Sequence, residues 1–271
     1  LIASPTALHA GQIRQAAQAG KAIFCEKPVA LDLSETIEAM KVVEESGVPF
    51  QIGFNRRYDP GYVEMARAVR AGELGRVELF RSQSSDPAPP PREYAALSGG
   101  IYRDTVIHDI DTARFVVGEI ERVHAIGRVM ADQHLAETGD VDVSILTVEF
   151  VPDGSEPGPI GVLMNHRRTV YGYDLRVEAH CERGKLVTEV ERATPLLRYD
   201  EKGVHGDYIY YFIERFRDAY RAELQAFVDA LQEGLTPTPG PRDAVESLRV
   251  AVAATQSLRT GEPVRVADTT G

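Results

Sequence analysis

The sequence predicts an α/β protein in two unequal parts. Residues 1–75 read as a parallel sheet covered by helices, and residues 76–271 as an α+β domain with one large, open, mainly antiparallel sheet. Short apolar strands alternate with amphipathic helices through the first part, which is the pattern of strand–helix–strand units. From Val77 onward, strands follow one another without helices between them, which is the pattern of an antiparallel sheet. Two amphipathic helices come near the end.

Leu1 to Ala3 is a short apolar strand, stopped by Ser4-Pro5-Thr6. Ser4 or Thr6 is placed to cap a helix to about Ala19, and Gly20 stops it. Ala22 to Cys25 is a second buried strand, broken by Pro28. Ser34 is the expected cap of a helix to Ser46, with Ile37, Met40 and Val43 inward, Glu38 and Lys41 outward, and Gly47 as the stop. Phe50 to Phe54 is the third strand, and Asp59-Pro60 opens a helix to about Ala71. Val77 to Ser84 is a strand, followed by a proline-rich loop, Asp86 to Pro91. Ile101 to Val117 reads as one helix. Strands are then expected over 123–129, 141–151, 160–167, 173–181 and 185–190, with turns at Asp153-Gly154 and Arg183-Gly184. Helices over 216–231 and 243–258 and a closing strand at 264–266 complete the chain.

The bulk properties bound the function. A chain of 271 residues buries roughly 75% of its unfolded surface, enough for two domains or one large one. Its net charge of -11 argues against nucleic acid and anionic membranes as partners, while leaving room for an anionic cofactor in a local site. The two cysteines, Cys25 and Cys181, form no CxxC pair, and two reduced thiols fit a cytoplasmic protein. No apolar run reaches the roughly 18 residues of a membrane span, and no basic-then-apolar leader opens the chain. Because Leu1 already lies in a strand, a segment upstream is expected to be missing.

Three groups of residues carry the chemistry. Glu26-Lys27-Pro28 places a cation at the carboxyl end of a strand, where open parallel sheets bind ligands. A surface charge pair is the ordinary alternative, and the following proline constrains the backbone, with a cis bond open to it. Asp104 and His108 are four apart, so an α-helix puts them on one face, one turn from each other. They sit in an otherwise apolar stretch, where polar groups are costly unless paired or useful. A core hydrogen bond between them is one reading. A metal site with Asp111 is another, disfavoured because no second cluster supplies ligands. A cation, a carboxylate and an imidazole together suit proton removal from a hydroxyl and stabilisation of the oxygen left behind. Arg56-Arg57-Tyr58-Asp59 is either a solvated turn or a substrate contact. Tyr171-Gly172-Tyr173-Asp174 either packs or holds a polyol. The stretch Asn165-His166-Arg167-Arg168 fits a cleft wall or an interface between copies. No Gly-x-Gly-x-x-Gly, phosphate-cradling loop or nucleophile elbow is present.

Ala3-Ser4-Pro5-Thr6 through His9, Cys25-Glu26-Lys27-Pro28, Gly53 through Asp59, Ser98-Gly99-Gly100 and Asp104-x-x-x-His108-Asp109-Ile110-Asp111 occur in the order seen in one family. The chain resembles the glucose–fructose oxidoreductase / inositol dehydrogenase / rhizopine catabolism (Gfo/Idh/MocA) family over nearly its whole length. Its Gly172-Tyr173-Asp174 looks like the corresponding stretch of the myo-inositol 2-dehydrogenases. The resemblance implies an N-terminal Rossmann domain binding NAD or NADP, here residues 1–75, and a substrate and oligomerisation domain, residues 76–271. It implies that Lys27, Asp104 and His108 are catalytic. It places Ser4, Pro5, Thr6, His9, Glu26 and Lys27 near the cofactor. Weaker matches put Arg57, Asp86, Asp111 and Tyr173 on the substrate. A homodimer or homotetramer through the open sheet is expected.

The family's glycine fingerprint would lie upstream of Leu1, and two βαβ units sharing a strand take roughly 60 residues. The chain as it stands is therefore expected to bind dinucleotide weakly or not at all. The reading that follows is an NAD(P)-dependent oxidoreductase acting on a secondary hydroxyl of a cyclitol or sugar. In it, His108 is the base, Asp104 holds the imidazole and favours its charged form, and Lys27 steadies the substrate oxygen. A catalytically silent sugar-binding relative and a metal-dependent sugar isomerase are the alternatives.

Overall fold

The computed structural model describes residues 1–154 and 157–269. Strand β1 (Ile23–Glu26) pairs in parallel with β2 (Phe50–Gly53). The expected first strand is a single parallel bridge, Ile2 to Cys25, held by Ile2 N to Phe24 O at 2.8 Å and Glu26 N to Ile2 O at 2.9 Å. Helix α1 (His9–Gln18) buries Ala10, Ile13 and Ala17. Neither Ser4 nor Thr6 caps it: the Ser4 hydroxyl donates to Gln12 Oε1 at 2.7 Å, and a 3-10 turn, Thr6–Leu8, precedes the helix. Helix α2 (Leu33–Ser46) is capped by Asp32, whose Oδ1 accepts from Glu35 N at 2.9 Å. Ser34, the expected cap, donates its hydroxyl to that same oxygen. Gly47 closes α2 at φ +66, the left-handed conformation glycine adopts without a Cβ penalty. Ile37 is 40% exposed, and Thr36 takes the inward position by bonding its hydroxyl back to Asp32 O. Helix α3 (Pro60–Arg70) starts at Asp59, which accepts from Gly61 N.

The second sheet has seven strands. They are β3 (Val77–Ser85), β4 (Ile120–Arg128), β5 (Val143–Phe150), β6 (Ile160–His166), β7 (Asp174–Cys181), β8 (Gly184–Thr188) and β11 (Val264–Arg265). The order is β11-β4-β5-β6-β3-β7-β8, antiparallel throughout except for the parallel β3–β6 pair. Along β5, buried Ser144, Leu146, Val148 and Phe150 alternate with exposed Ile145, Thr147 and Glu149, so one face carries the core and the other is open. Between β8 and β11 lies a hairpin the sequence did not suggest, β9 (Arg192–Asp200) with β10 (Gly203–Tyr208). Nearly all of its side chains are exposed, so no burial period marks it.

The expected single helix over 101–117 begins as a π-helical turn, Tyr102–Val106, and continues as α4 (Ile107–Val116). Helices α5 (Arg217–Glu233) and α6 (Pro241–Thr260) return to the first sheet. Gln51 Nε2 donates to Glu223 O at 3.0 Å, Ile52 N donates to Pro239 O at 3.0 Å, and the Phe24 and Phe227 rings meet edge to face. Helix α6 also packs on α2, α4 and β4, so the C-terminal helices bind the two sheets into one body.

Two buried ion networks fix α4. Asp109 is fully buried and accepts from Arg56 Nη1 at 2.8 Å, Ser82 at 2.5 Å, Ser84 at 2.6 Å and Asn165 at 3.0 Å. It ties α4 to β3, β6 and the turn after β2. Asp111 takes both nitrogens of the Arg57 fork at 2.7 and 2.8 Å, and Arg57 reaches on to Asp243 of α6 at 2.8 Å. Removing one partner of such a pair leaves a buried charge uncompensated. Asp109→Ala is therefore expected to lower unfolding free energy by about 3–5 kcal/mol, read from urea denaturation. A loss below about 1 kcal/mol would show that Arg56 finds other partners.

Candidate active site

The site is built where the carboxyl end of β1 meets the π turn. Glu26 ends β1, and Lys27 follows it with a cis peptide to Pro28. The Lys27 ammonium donates to Asp104 O at 2.6 Å and stands 3.8 Å from Asp104 Oδ1, although the two residues are 77 apart in the chain. The Asp104 carboxylate is shared: Tyr94 donates to Oδ1 at 2.8 Å and Arg167 Nη2 donates to Oδ2 at 3.1 Å. Arg167 is 1% exposed and also holds Asp140 at 3.0 Å and the Thr105 hydroxyl at 2.9 Å.

No hydrogen bond joins Asp104 to His108 among the described residues, which corrects the expectation that Asp104 orients the imidazole. The π turn accounts for it. Its wider winding breaks the i, i+4 stacking that an α-helix would impose. His108 Nδ1 is sealed from solvent without a partner, while the residue as a whole stays partly exposed. Phe54 stands edge to face beside the imidazole, centroids 6.3 Å apart. Burial first, then the charges of Lys27 and Arg56, push the imidazole pKa well below its ordinary range. This reverses the expected preference for the charged form. The ring is a neutral base at neutral pH, next to a fixed cation.

The other expected site residues divide into two groups. Asp86 follows β3, and burial, opposed by Arg167 and Arg56 and reinforced by Asp104 and Asp109, pushes its carboxyl up to about 6. Tyr173 is buried against Phe216, and burial raises its hydroxyl pKa. Both feel the same cluster of Arg56, Asp109 and neighbouring charges. Arg57 and Asp111 do not join them, because their charges are taken up in the network that anchors α6. A substrate contact is therefore replaced by a structural one for this pair.

The cofactor-side residues sit at the carboxyl ends of the Ile2 bridge and β1. His9 is buried, with Nδ1 2.9 Å from Pro28 O and Nε2 2.7 Å from Ser4 O, so its ring links the Ser4-Pro5-Thr6 loop to the Lys27 loop. Glu26 is half-buried, and burial, opposed by Lys27 and His9, raises its carboxyl pKa. Pro5 is exposed, and the Thr6 side chain makes no hydrogen bond among the described residues. Open loops at the carboxyl ends of adjacent parallel strands, with a half-buried acid between them, fit the nicotinamide-ribose end of a dinucleotide. Asp104, His108 and Asp111 do not converge, and no group of three metal-binding side chains occurs among the described residues.

Tyr94 and Tyr211 were not singled out by sequence reasoning, and Arg167 was named only as part of a stretch fitting a cleft wall or an interface between copies. Arg167 carried a signal, since it lies in the Asn165 to Arg168 cluster at the end of β6. Tyr94 lies in a one-turn helix, Arg92–Ala95, after β3, and its hydroxyl pKa is raised by burial and by Asp104. Burial, then the charges of Asp86 and Asp104, raises the hydroxyl pKa of Tyr211, which approaches the same cluster from beyond β10.

Comparison with known proteins gives concordant matches. Residues 1–54 match the oxidoreductase family NAD-binding Rossmann fold, and residues 62–187 match the GFO/IDH/MocA C-terminal domain. The myo-inositol 2-dehydrogenase of Thermotoga maritima is 36% identical over 100% of this chain and 80% of its own length. The scyllo-inositol 2-dehydrogenase (NAD(+)) of Bacillus subtilis is 38% identical over 98% of this chain and 77% of its own. The scyllo-inositol dehydrogenase of Lactobacillus casei, solved with bound NAD(H) and scyllo-inositol, superposes with a TM-score of 0.91 at 30% identity, covering 99% of this chain and 80% of that one.

The electrostatics of the site are open to direct measurement. Lys27→Met removes one of the two cations that hold the imidazole neutral, so the His108 pKa is expected to rise. An NMR pH titration of the His108 ring carbons reads the midpoint. An unchanged or lower midpoint would contradict the placement of the ammonium.

Proposed function

The chain belongs to the Gfo/Idh/MocA oxidoreductase family, and from that premise we propose that it is a nicotinamide-dependent dehydrogenase of a cyclitol, oxidising a secondary ring hydroxyl. The observation that carries the reading is a neutral imidazole, His108, set near a fixed ammonium, Lys27, whose charge helps to keep it neutral. The NAD(H) and inositols named for its relatives support the cofactor and the substrate class. Residues 1–75 take the dinucleotide side and residues 76–271 the polyol side.

Ser4 to Thr6 and Glu26 would hold the cofactor end, and a bound nicotinamide supplies the hydride acceptor. The protein's own groups handle the proton and the charge. His108 accepts the hydroxyl proton, because its free-base form is the one populated at neutral pH. Lys27 donates a hydrogen bond to the same oxygen as negative charge develops there, in a partly desolvated site where such a bond is strong. Asp104 acts on Lys27 and not on His108. Its carbonyl and carboxylate fix where the ammonium stands, while Arg167 and Tyr94 fix Asp104. Asp86, Tyr173 and Tyr94 supply polar groups suited to the remaining ring hydroxyls. The open sheet face, with exposed Ile126, Ile145 and Ile160, supports a homodimer or homotetramer. The free, buried Cys25 and Cys181 support a cytoplasmic setting.

Full-length protein given NAD and a panel of inositols is expected to generate reduced cofactor, followed by absorbance. His108→Ala is expected to lower kcat about 10²–10⁴-fold while binding of reduced cofactor, followed by fluorescence, stays unchanged. No turnover across polyols and sugars would favour a silent binding relative. Near-normal turnover of the variant would remove His108 from the base role.

A further inference from the structure

Beside the π turn lies a concavity of about 210 Å³, lined by Gly99, Arg103, Thr138, Asp140, Thr255 and Arg259 among others. It shares none of Lys27, Asp104 or His108. Its walls come from the Gly99-Gly100 turn, the loop after residue 137 and the last turn of α6.

The charges in this concavity are not balanced. Arg103 is partly buried, and its Nε is sealed from solvent with no hydrogen-bond partner among the described residues. The one hydrogen bond of its guanidinium among the described residues is a long one, from Nη1 to Gly99 O at 3.3 Å. Arg259 is exposed and makes no ion pair among the described residues. The two guanidiniums are near enough that Arg259 adds to burial in lowering the Arg103 pKa, with Asp32 opposing. The acids at hand are engaged elsewhere. Asp140 Oδ1 accepts from Ile101 N at 2.8 Å and Oδ2 from Arg167 at 3.0 Å. Asp32 is exposed and caps α2. A buried guanidinium N–H without a partner is costly, and two like charges side by side add to the cost. In a chain of net charge -11, an uncompensated pair of arginines is a local exception.

We propose that this concavity is a binding site for a small phosphate-type oxyanion, held between the Arg103 and Arg259 guanidiniums. One tetrahedral dianion compensates both positive charges, which a carboxylate of single charge does only in part. The volume accommodates a phosphoryl group with a few waters. Arg103 precedes Asp104 within the π turn, so an anion that draws on Arg103 acts one residue from the carboxylate that positions Lys27.

The test is isothermal titration of the full-length protein with inorganic phosphate at constant ionic strength, alongside Arg103→Gln and Arg259→Gln. Arg259 is exposed at a helix end, so its variant is expected to fold and to keep its turnover in the absence of phosphate. Wild type should bind phosphate saturably, sulfate should compete, and chloride should not. Each variant should weaken binding about tenfold or more, the effect of losing one charge-assisted hydrogen bond. No saturable binding by wild type, or undiminished binding in both variants, would overturn the proposal.

Discussion

Asp104 is the point on which the rest of the site depends. Its carbonyl receives the Lys27 ammonium at 2.6 Å, and its carboxylate lies between Tyr94 and Arg167. Lys27 follows β1 of the first sheet and Arg167 follows β6 of the second, so one residue joins the two halves. The π turn makes this possible by directing the carboxylate away from the helix's own next turn. π turns are rare and frequent at functional sites. Here the consequence is specific, because it separates two groups that a regular helix would have stacked.

That separation sets the electrostatics of the imidazole. A carboxylate bonded to His108 would favour the charged ring, which cannot take a proton. With Asp104 committed to Lys27, Tyr94 and Arg167, His108 meets burial and two cations instead, and stays neutral. Lys27 therefore has two effects from one position. It keeps the base unprotonated before reaction and offsets charge on the substrate oxygen during it. Beneath the site, Asp109 and Asp111 hold α4 in place through Arg56 and Arg57, so the reacting groups stand on a helix fixed from two directions.

Much of this was legible in the residues, and the exceptions have physical causes. The strand–helix alternation to Gly53 and the later run of strands were clear, because β1 and β2 are short apolar runs buried along their length, while α2 and β5 each bury one face with a regular period. The β9–β10 hairpin was missed because it has no buried face to impose a period. Lys27 and His108 stood out as polar groups at a strand end and in an apolar helix. The π turn left no pattern, so the Asp104–His108 bond inferred from spacing was wrong. Arg57 and Asp111 were placed on the substrate by weaker matches to the family, with the strand's carboxyl end adding to the case for Arg57. They pair with each other, 54 residues apart, and Arg57 also holds Asp243, 186 residues away along the chain, both beyond the reach of local spacing.

The most direct test is a crystal structure of the full-length protein with a cyclitol and reduced cofactor bound. A single ring oxygen is expected within roughly 3 Å of both Lys27 Nζ and a ring nitrogen of His108, with the Asp104 carboxylate still on Arg167 and Tyr94. A cyclitol that reaches only one of the two groups, or an Asp104 turned onto the imidazole, would contradict the account.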